Sequence, residues 1–210
     1  MTSVVTISRQ FGAGGITLGQ MISKKLGYSF VDREIVQMVA KEAKVSSNWV
    51  EHIEKEAGGA LLKFMSGLVS KRFFERILTD DKGFIDEEIY VDLLHEVIGK
   101  VGREGKAVII GRGSQYILRD NPDVIHVLLV ADEEDRIRFM EKKYKLTTKQ
   151  AIQTVATMAR RRISLYKKFG KEDYDNPNLY HLVLNMSKID FGKACDLVCK
   201  LAQTGSTIAS

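Results

Sequence analysis

The segment Phe11-Gly-Ala-Gly-Gly-Ile-Thr17 follows a β-branched run at residues 3–8 and precedes a stretch in which Leu18, Ile22 and Leu26 recur with helical spacing. A strand, a glycine-rich turn and a helix in that order make an anion site. The first turn of a helix leaves backbone N–H groups unpaired, and its dipole favours negative charge there. Glycines let the backbone approach a phosphate in conformations closed to other residues. The chemistry expected of Phe11, Gly12, Ala13, Gly14, Gly15, Ile16 and Thr17 is therefore phosphate binding. A plain tight turn is the competing reading, and the strand–turn–helix context favours phosphate.

The turn departs from the regular phosphate-loop pattern, which places Lys and then Ser or Thr after its last glycine. Gly15 stands where the lysine belongs, and Ile16 follows it. That lysine would sit against the β- and γ-phosphates. Its charge could come from Arg9 or from an arginine carried by another segment; otherwise the site binds nucleotide and does little chemistry. Thr17 is the nearest hydroxyl able to reach a magnesium ion.

The elements that must position this turn read as alternating short strands and amphipathic helices. Strands are expected at residues 3–8, 28–31, 106–110, 123–130 and, weakly, 182–184. Helices are expected at 16–26, 34–43, from Ser46 or Ser47 onward, 86–103, from Asp132 to about Tyr144, 147–169 and 191–202. Such alternation implies βαβ units and a parallel sheet covered on both faces. The stretch 58–84 carries an apolar stripe, including Leu61, Met65 and Leu68, interleaved with Lys63, Lys71, Arg72 and Arg76. It reads as one or two amphipathic helices. They form a homodimer interface or close over the core, and the sequence leaves both open.

The bulk numbers suit one α/β domain: 210 residues, 44% hydrophobic, 28% charged and two prolines. A net charge of +5 suits anionic ligands without choosing among them. No recognition motif of a known nucleic-acid module appears, so nucleic acid is disfavoured as a partner. No signal peptide or membrane-spanning apolar run is visible, and cytoplasmic localisation is expected. Cys195 and Cys199, the only cysteines, sit four apart in a helical pattern. They read as two small buried apolar residues, because ligands for zinc and numbers for a disulfide framework are both lacking.

Further motifs line up in order: Val5-Thr-Ile-Ser-Arg-Gln-Phe-Gly-Ala-Gly-Gly, Tyr28-Ser-Phe-Val-Asp-Arg-Glu, Val108-Ile-Ile-Gly-Arg-Gly, His126-Val-Leu-Leu-Val-Ala-Asp and Arg160-Arg-Arg. In this order and spacing the chain resembles the cytidylate kinase-like family of P-loop proteins over nearly its whole length. The resemblance implies a P-loop NTPase fold: a five-stranded parallel sheet of order 2-3-1-4-5 in a single domain. It also implies a helical substrate-side insertion at about 44–104 and a basic lid at about 146–180. Asp32, ending the second strand, would serve the acceptor or the metal. Arg112 would approach the acceptor phosphate, a task that suits a planar, permanently charged fork. Arg160 and Arg162 would neutralise charge on the transferring phosphoryl group. Three consecutive arginines point about 100° apart on a helix, so only one or two can face one ligand. Arg136 falls near a basic substrate-side position, and could equally pair with Glu133. The chain departs from the family pattern at Gly113, where cytidylate kinases carry Asp, and at Ala159, where lids often carry an acid.

The implied activity is ATP- and Mg2+-dependent phosphoryl transfer to a nucleoside monophosphate, CMP first, with other small phosphorylated or hydroxylated acceptors next. The alternative is a regulatory nucleotide-binding protein with little turnover, motivated by the absent lysine.

Overall fold

A computed structural model of the chain describes residues 4–32, 87–171 and 173–204. The helices expected at 34–43 and after Ser46 or Ser47, and the stripe within 58–84, lie outside the described residues. Five strands form one parallel sheet: β1 (Val4–Arg9), β2 (Ser29–Val31), β3 (Ala107–Ile110), β4 (Val124–Val130) and β5 (Leu182–Asn185). Their spatial order is β2-β3-β1-β4-β5, as the resemblance implied. The helices are α1 (Gly15–Leu26), α2 (Glu87–Glu104), α3 (Ser114–Ile117), α4 (Glu133–Tyr144), α5 (Thr148–Lys168) and α6 (Phe191–Thr204), with a short 3-10 turn at Pro177–Leu179. No described helix is long and apolar enough to cross a membrane.

The pleat divides β1 between two layers. Val5 and Ile7 join Ile125 and Val127 of β4 in a core completed by Leu18 and Ile22 of α1 and by Val198 and Cys199 of α6. Cys195 and Cys199 are buried free thiols with sulfurs 3.9 Å apart, in keeping with their reading as small apolar residues. Val4, Thr6 and Ser8 point to the other face. Leu93, Val97 and Val101 of α2 recur every four residues and are fully buried, as are Leu94 and Ile98. Thr6 Oγ1 meets His126 Nδ1 at 2.7 Å, and the His126 amide donates to His181 Nδ1 at 3.1 Å.

Register aligns the strand ends that matter. Val4 pairs with Ala107 and Val124, Ile7 with Ile110, and Arg9 with Leu129. The glycine turn, Asp32, Gly111-Arg-Gly113 and Asp132 therefore leave the sheet at its carboxyl edge, where parallel α/β sheets bind ligands. Local caps fix the helices around that edge. Thr147 and Gln150 form a reciprocal capping box at the start of α5, a feature worth about 1 kcal/mol. Glu133, Glu134 and Asp135 in the first turn of α4, with Lys142 and Lys143 in its last, complement its dipole.

Candidate active site

The glycine turn is held from both ends. The Gln10 amide donates to the Leu129 carbonyl at 2.9 Å, and its side-chain oxygen accepts from the Ala131 amide at 3.1 Å. The Ala13 amide donates to the Gln10 carbonyl at 3.1 Å. Gly12 (φ 92°) and Gly14 (φ 81°) adopt left-handed backbone that a side chain would strain. A Cβ at Gly12 would also fall 2.7 Å from Arg136 Cβ, and one at Gly14 would enter the Phe191 ring.

The α1 ladder opens with the Leu18 amide donating to the Gly14 carbonyl at 3.0 Å, so the amides of Gly15, Ile16 and Thr17 lie ahead of it. Gly14, as N-cap, has no side chain to cover them. Above them is a hollow of about 40 Å³, lined by Gly12, Gly14, Gly15, Ile16 and Thr17 and walled by Phe139, Met140 and Tyr144 of α4. Roughly 10–15 Å³ suffices for one water, so a phosphate-sized group fits.

A larger cavity of about 370 Å³ adjoins this hollow. Asp32, Arg112, Arg161, Arg162 and Tyr166 line it, with Met158 and Leu165 among its apolar walls. Arg9, Phe11, Ile16, Met140 and Tyr144 line both spaces.

Each arginine is set differently. Arg112 lies in a run of three left-handed residues, Gly111 (φ 67°), Arg112 (φ 62°) and Gly113 (φ 72°). For a residue with a Cβ that conformation costs about 1–2 kcal/mol, and strain of this kind gathers at functional sites. Gly113 then caps α3, and its own Cβ would lie 2.7 Å from two ring carbons of Phe169. The departure from Asp at this position thus has a packing reason: Phe169 occupies the space.

Arg162 is clamped. Its guanidinium donates to both oxygens of Asp175, at 3.2 and 2.5 Å, and lies about 5 Å from the ring centres of Tyr166 and Tyr174. Burial is the largest single influence and opposes its charge, but the hydrogen bonds and charges of Asp175 and Tyr166 together outweigh it and raise its pKa above the ordinary guanidinium range. Arg161 is exposed yet lines the cavity, whereas Arg160 is exposed and does not. Arg136 turns to the scaffold: its Nε donates to the Ala131 carbonyl at 3.2 Å and Nη1 to the Phe11 carbonyl at 3.4 Å. It braces the glycine turn against the end of β4. Arg9 is partly buried, and burial first, then Arg112 and Arg162, lower its pKa to about 10 against the pull of Tyr166 and Asp32. It remains charged at neutral pH.

The structure therefore gathers the turn residues, Arg9, Asp32, Arg112 and Arg162 around two joined spaces. Tyr166, Tyr174 and Asp175 were not singled out as site residues by the sequence, and Arg161 only as one of three consecutive arginines of which one or two could face a ligand. Asp175 lies thirteen positions from Arg162, in a loop, with no periodic signal. Arg162 and Tyr166 do stand at the i,i+4 spacing of helix neighbours.

The family model of the cytidylate kinase-like family matches residues 4–188. The chain belongs to the cytidylate kinase-like family. No curated protein matches it. Among solved structures, this cytidylate kinase-like protein is similar to an uncharacterized protein from Eubacterium ventriosum at 16% identity and a TM-score of 0.67, covering 97% of this chain and 99% of that one. It is also similar to a shikimate kinase from Bacteroides thetaiotaomicron at 14% identity and a TM-score of 0.50, again covering 97% and 99%. At these identities the likeness shows the fold alone. Family membership supports phosphotransfer of the kinase type on this nucleotide-binding P-loop fold.

Proposed function

We propose that the protein transfers the γ-phosphoryl group of ATP to a nucleoside monophosphate, with CMP the first acceptor. The observation that carries this is the junction of a phosphate-sized hollow at the glycine turn with a cavity of about 370 Å³ lined by arginines. The free amides of the turn bind the donor's phosphates. The donor's base extends into a separate hollow of about 310 Å³ beyond Gly12, where Phe139 and Phe191 stand 6.0 Å apart.

Arg112 binds the acceptor phosphate and turns its oxygen toward the γ-phosphorus. The new P–O bond forms as the bond to the β–γ bridging oxygen breaks, and the electron pair leaves on the nucleoside diphosphate. Little covalent work falls to the protein, so rate comes from alignment and charge neutralisation. Arg161 and Arg162, in a lid at about 146–180, face the charge that spreads over the transferring group. The clamp on Asp175 and two tyrosines lets Arg162 do so without reorganising.

Magnesium fits the donor set. No cluster of three or more His, Cys, Asp or Glu occurs among the described residues, but magnesium in such sites takes only one or two protein oxygens beside phosphates and water. Thr17 and Asp32 would supply those oxygens. The ion would neutralise charge on the β- and γ-phosphates.

Gly15, in place of the lysine, favours a second reading: nucleotide binding with little turnover. A coupled assay of ATP with each nucleoside monophosphate and magnesium decides between them. CMP-dependent ADP release that falls about 100-fold or more in Arg112→Ala is expected. Tight ATP binding with no transfer to any acceptor refutes the kinase reading and supports the second.

A further inference from the structure

We propose that Arg9 is the phosphate-binding cation of this site and takes the place of the lysine that Gly15 lacks. The proposal rests on the reading of the glycine turn as a triphosphate site. Three observations converge on it.

First, two glycines leave room for this one side chain. A Cβ at Gly15 would lie 2.9 Å from Arg9 Cγ and 3.1 Å from Cδ. A Cβ at Gly111 would overlap the Arg9 guanidinium at Nη1. The stem of Arg9 thus runs over the position from which a lysine would start, and its head reaches the end of β3. A lysine at 15 and an arginine at 9 compete for the same space. The glycine that makes the turn look incomplete is the one that admits Arg9.

Second, Arg9 stands where the two spaces meet. Of the five residues lining both the turn hollow and the larger cavity, Arg9 alone is charged. That junction is where a γ-phosphate passes from donor to acceptor, so a cation there faces the β–γ bridging oxygen as it gains charge.

Third, among the described residues the guanidinium has no hydrogen-bond or ion-pair partner, whereas Arg136 and Arg162 spend their donors on carbonyls and on Asp175. Arg9 is also anchored at the end of the central strand, where Arg9 pairs with Leu129. Such a position fixes the stem before ligand arrives. An arginine offers a fork of donors in place of a single ammonium, and stays charged when partly buried.

The test compares wild type with Arg9→Gln, which keeps the stem over Gly15 and removes the charge, and with Arg9→Ala/Gly15→Lys, which moves the charge to the lysine position. Affinities for ADP and for a non-hydrolysable ATP analogue are measured by calorimetry, CMP-dependent turnover by coupled assay, and folding by thermal melts. Arg9→Gln is expected to lose about tenfold or more of the preference for triphosphate over diphosphate and about 100-fold of kcat. The relocated charge is expected to recover about tenfold of each loss. A folded Arg9→Gln within about threefold of wild type in both measures overturns the assignment, as does a folded double variant no better than Arg9→Gln. If wild type binds no triphosphate, the phosphate-site reading itself fails and the assignment falls with it. If wild type binds and transfers while Arg9→Gln does the same, only the assignment falls.

Discussion

Placing an acid at position 113 should weaken this protein, and the size of the loss follows from what lies above Gly113. The residue is left-handed at φ 72°, a conformation that Asp tolerates better than most residues but that still costs about 1 kcal/mol. Its Cβ would sit 2.7 Å from Phe169 Cε2 and Cζ, about 1 Å inside ordinary carbon contact. The ring must move, and it is held by tilted contacts with His95 at 5.6 Å and Tyr116 at 6.3 Å. Each such contact is worth about 0.5–1.5 kcal/mol. Gly113→Asp should therefore cost about 2–4 kcal/mol. In a Phe169→Ala background the ring is gone and only the backbone term of about 1 kcal/mol remains. Urea denaturation of the four proteins gives the coupling energy directly, and about 1–3 kcal/mol is expected. A coupling within about 0.5 kcal/mol of zero would refute the idea that Phe169 excludes the acid.

Arg162→Ala should cost about 2–4 kcal/mol, because it strands Asp175 and opens the space between Tyr166 and Tyr174, while the exposed Arg160→Ala should stay within about 0.5 kcal/mol of wild type; thermal melts compare the two. His126 is buried against Thr6, and burial, then His181, lowers its pKa to about 4. The unfolded chain binds the proton first, so stability falls as pH drops from about 6.5 to about 4, by about 3 kcal/mol in all, and His126→Gln should flatten that slope in denaturation measured across pH. Burial pushes the Cys199 thiol up to about 12, so an aromatic disulfide reagent should label native protein slowly and the unfolded chain at once.

The strands were legible because a β-branched apolar run can be buried on both faces of a parallel sheet and in few other places. Val4–Arg9 is shifted by one residue at both ends from its expected bounds, and Val124–Val130 starts one residue later than expected. The helix α3 was not legible. Ser114-Gln-Tyr-Ile117 has no apolar period, and it forms because three left-handed residues turn the chain off β3. The arginines of α5 were half legible. Ala151, Val155 and Tyr166 are buried, and Arg162 stands seven residues after Val155, so the apolar phase of α5 points to Arg162 and away from Arg160. Asp175 carried no such phase, since a loop brings it to Arg162. Arg136 has the right charge for an anion, yet its donors are taken by two backbone carbonyls, a fact that only coordinates supply.

Four arginines and one aspartate line the larger cavity, and the consequences reach beyond counting charges. Arg112 and Arg162 each disfavour the charge on Arg9, and Asp175 answers only Arg162. Bringing like charges together in a partly dry space costs free energy that the fold must carry before any ligand arrives. On the proposed reading, a polyanion at the turn would reverse the sign of that term, because its oxygens would meet these cations. Binding energy of this kind grows as charge accumulates on the bridging and equatorial oxygens, so it acts on the transition state more than on the bound donor. One of these arginines starts from the central strand, a second from a strained turn, and a third is clamped by Asp175 and two tyrosines. Arg161 is the one exposed cation of the four. On the proposed reading, that division would give the site partly buried charge and one exposed arginine, without a lysine in the glycine turn.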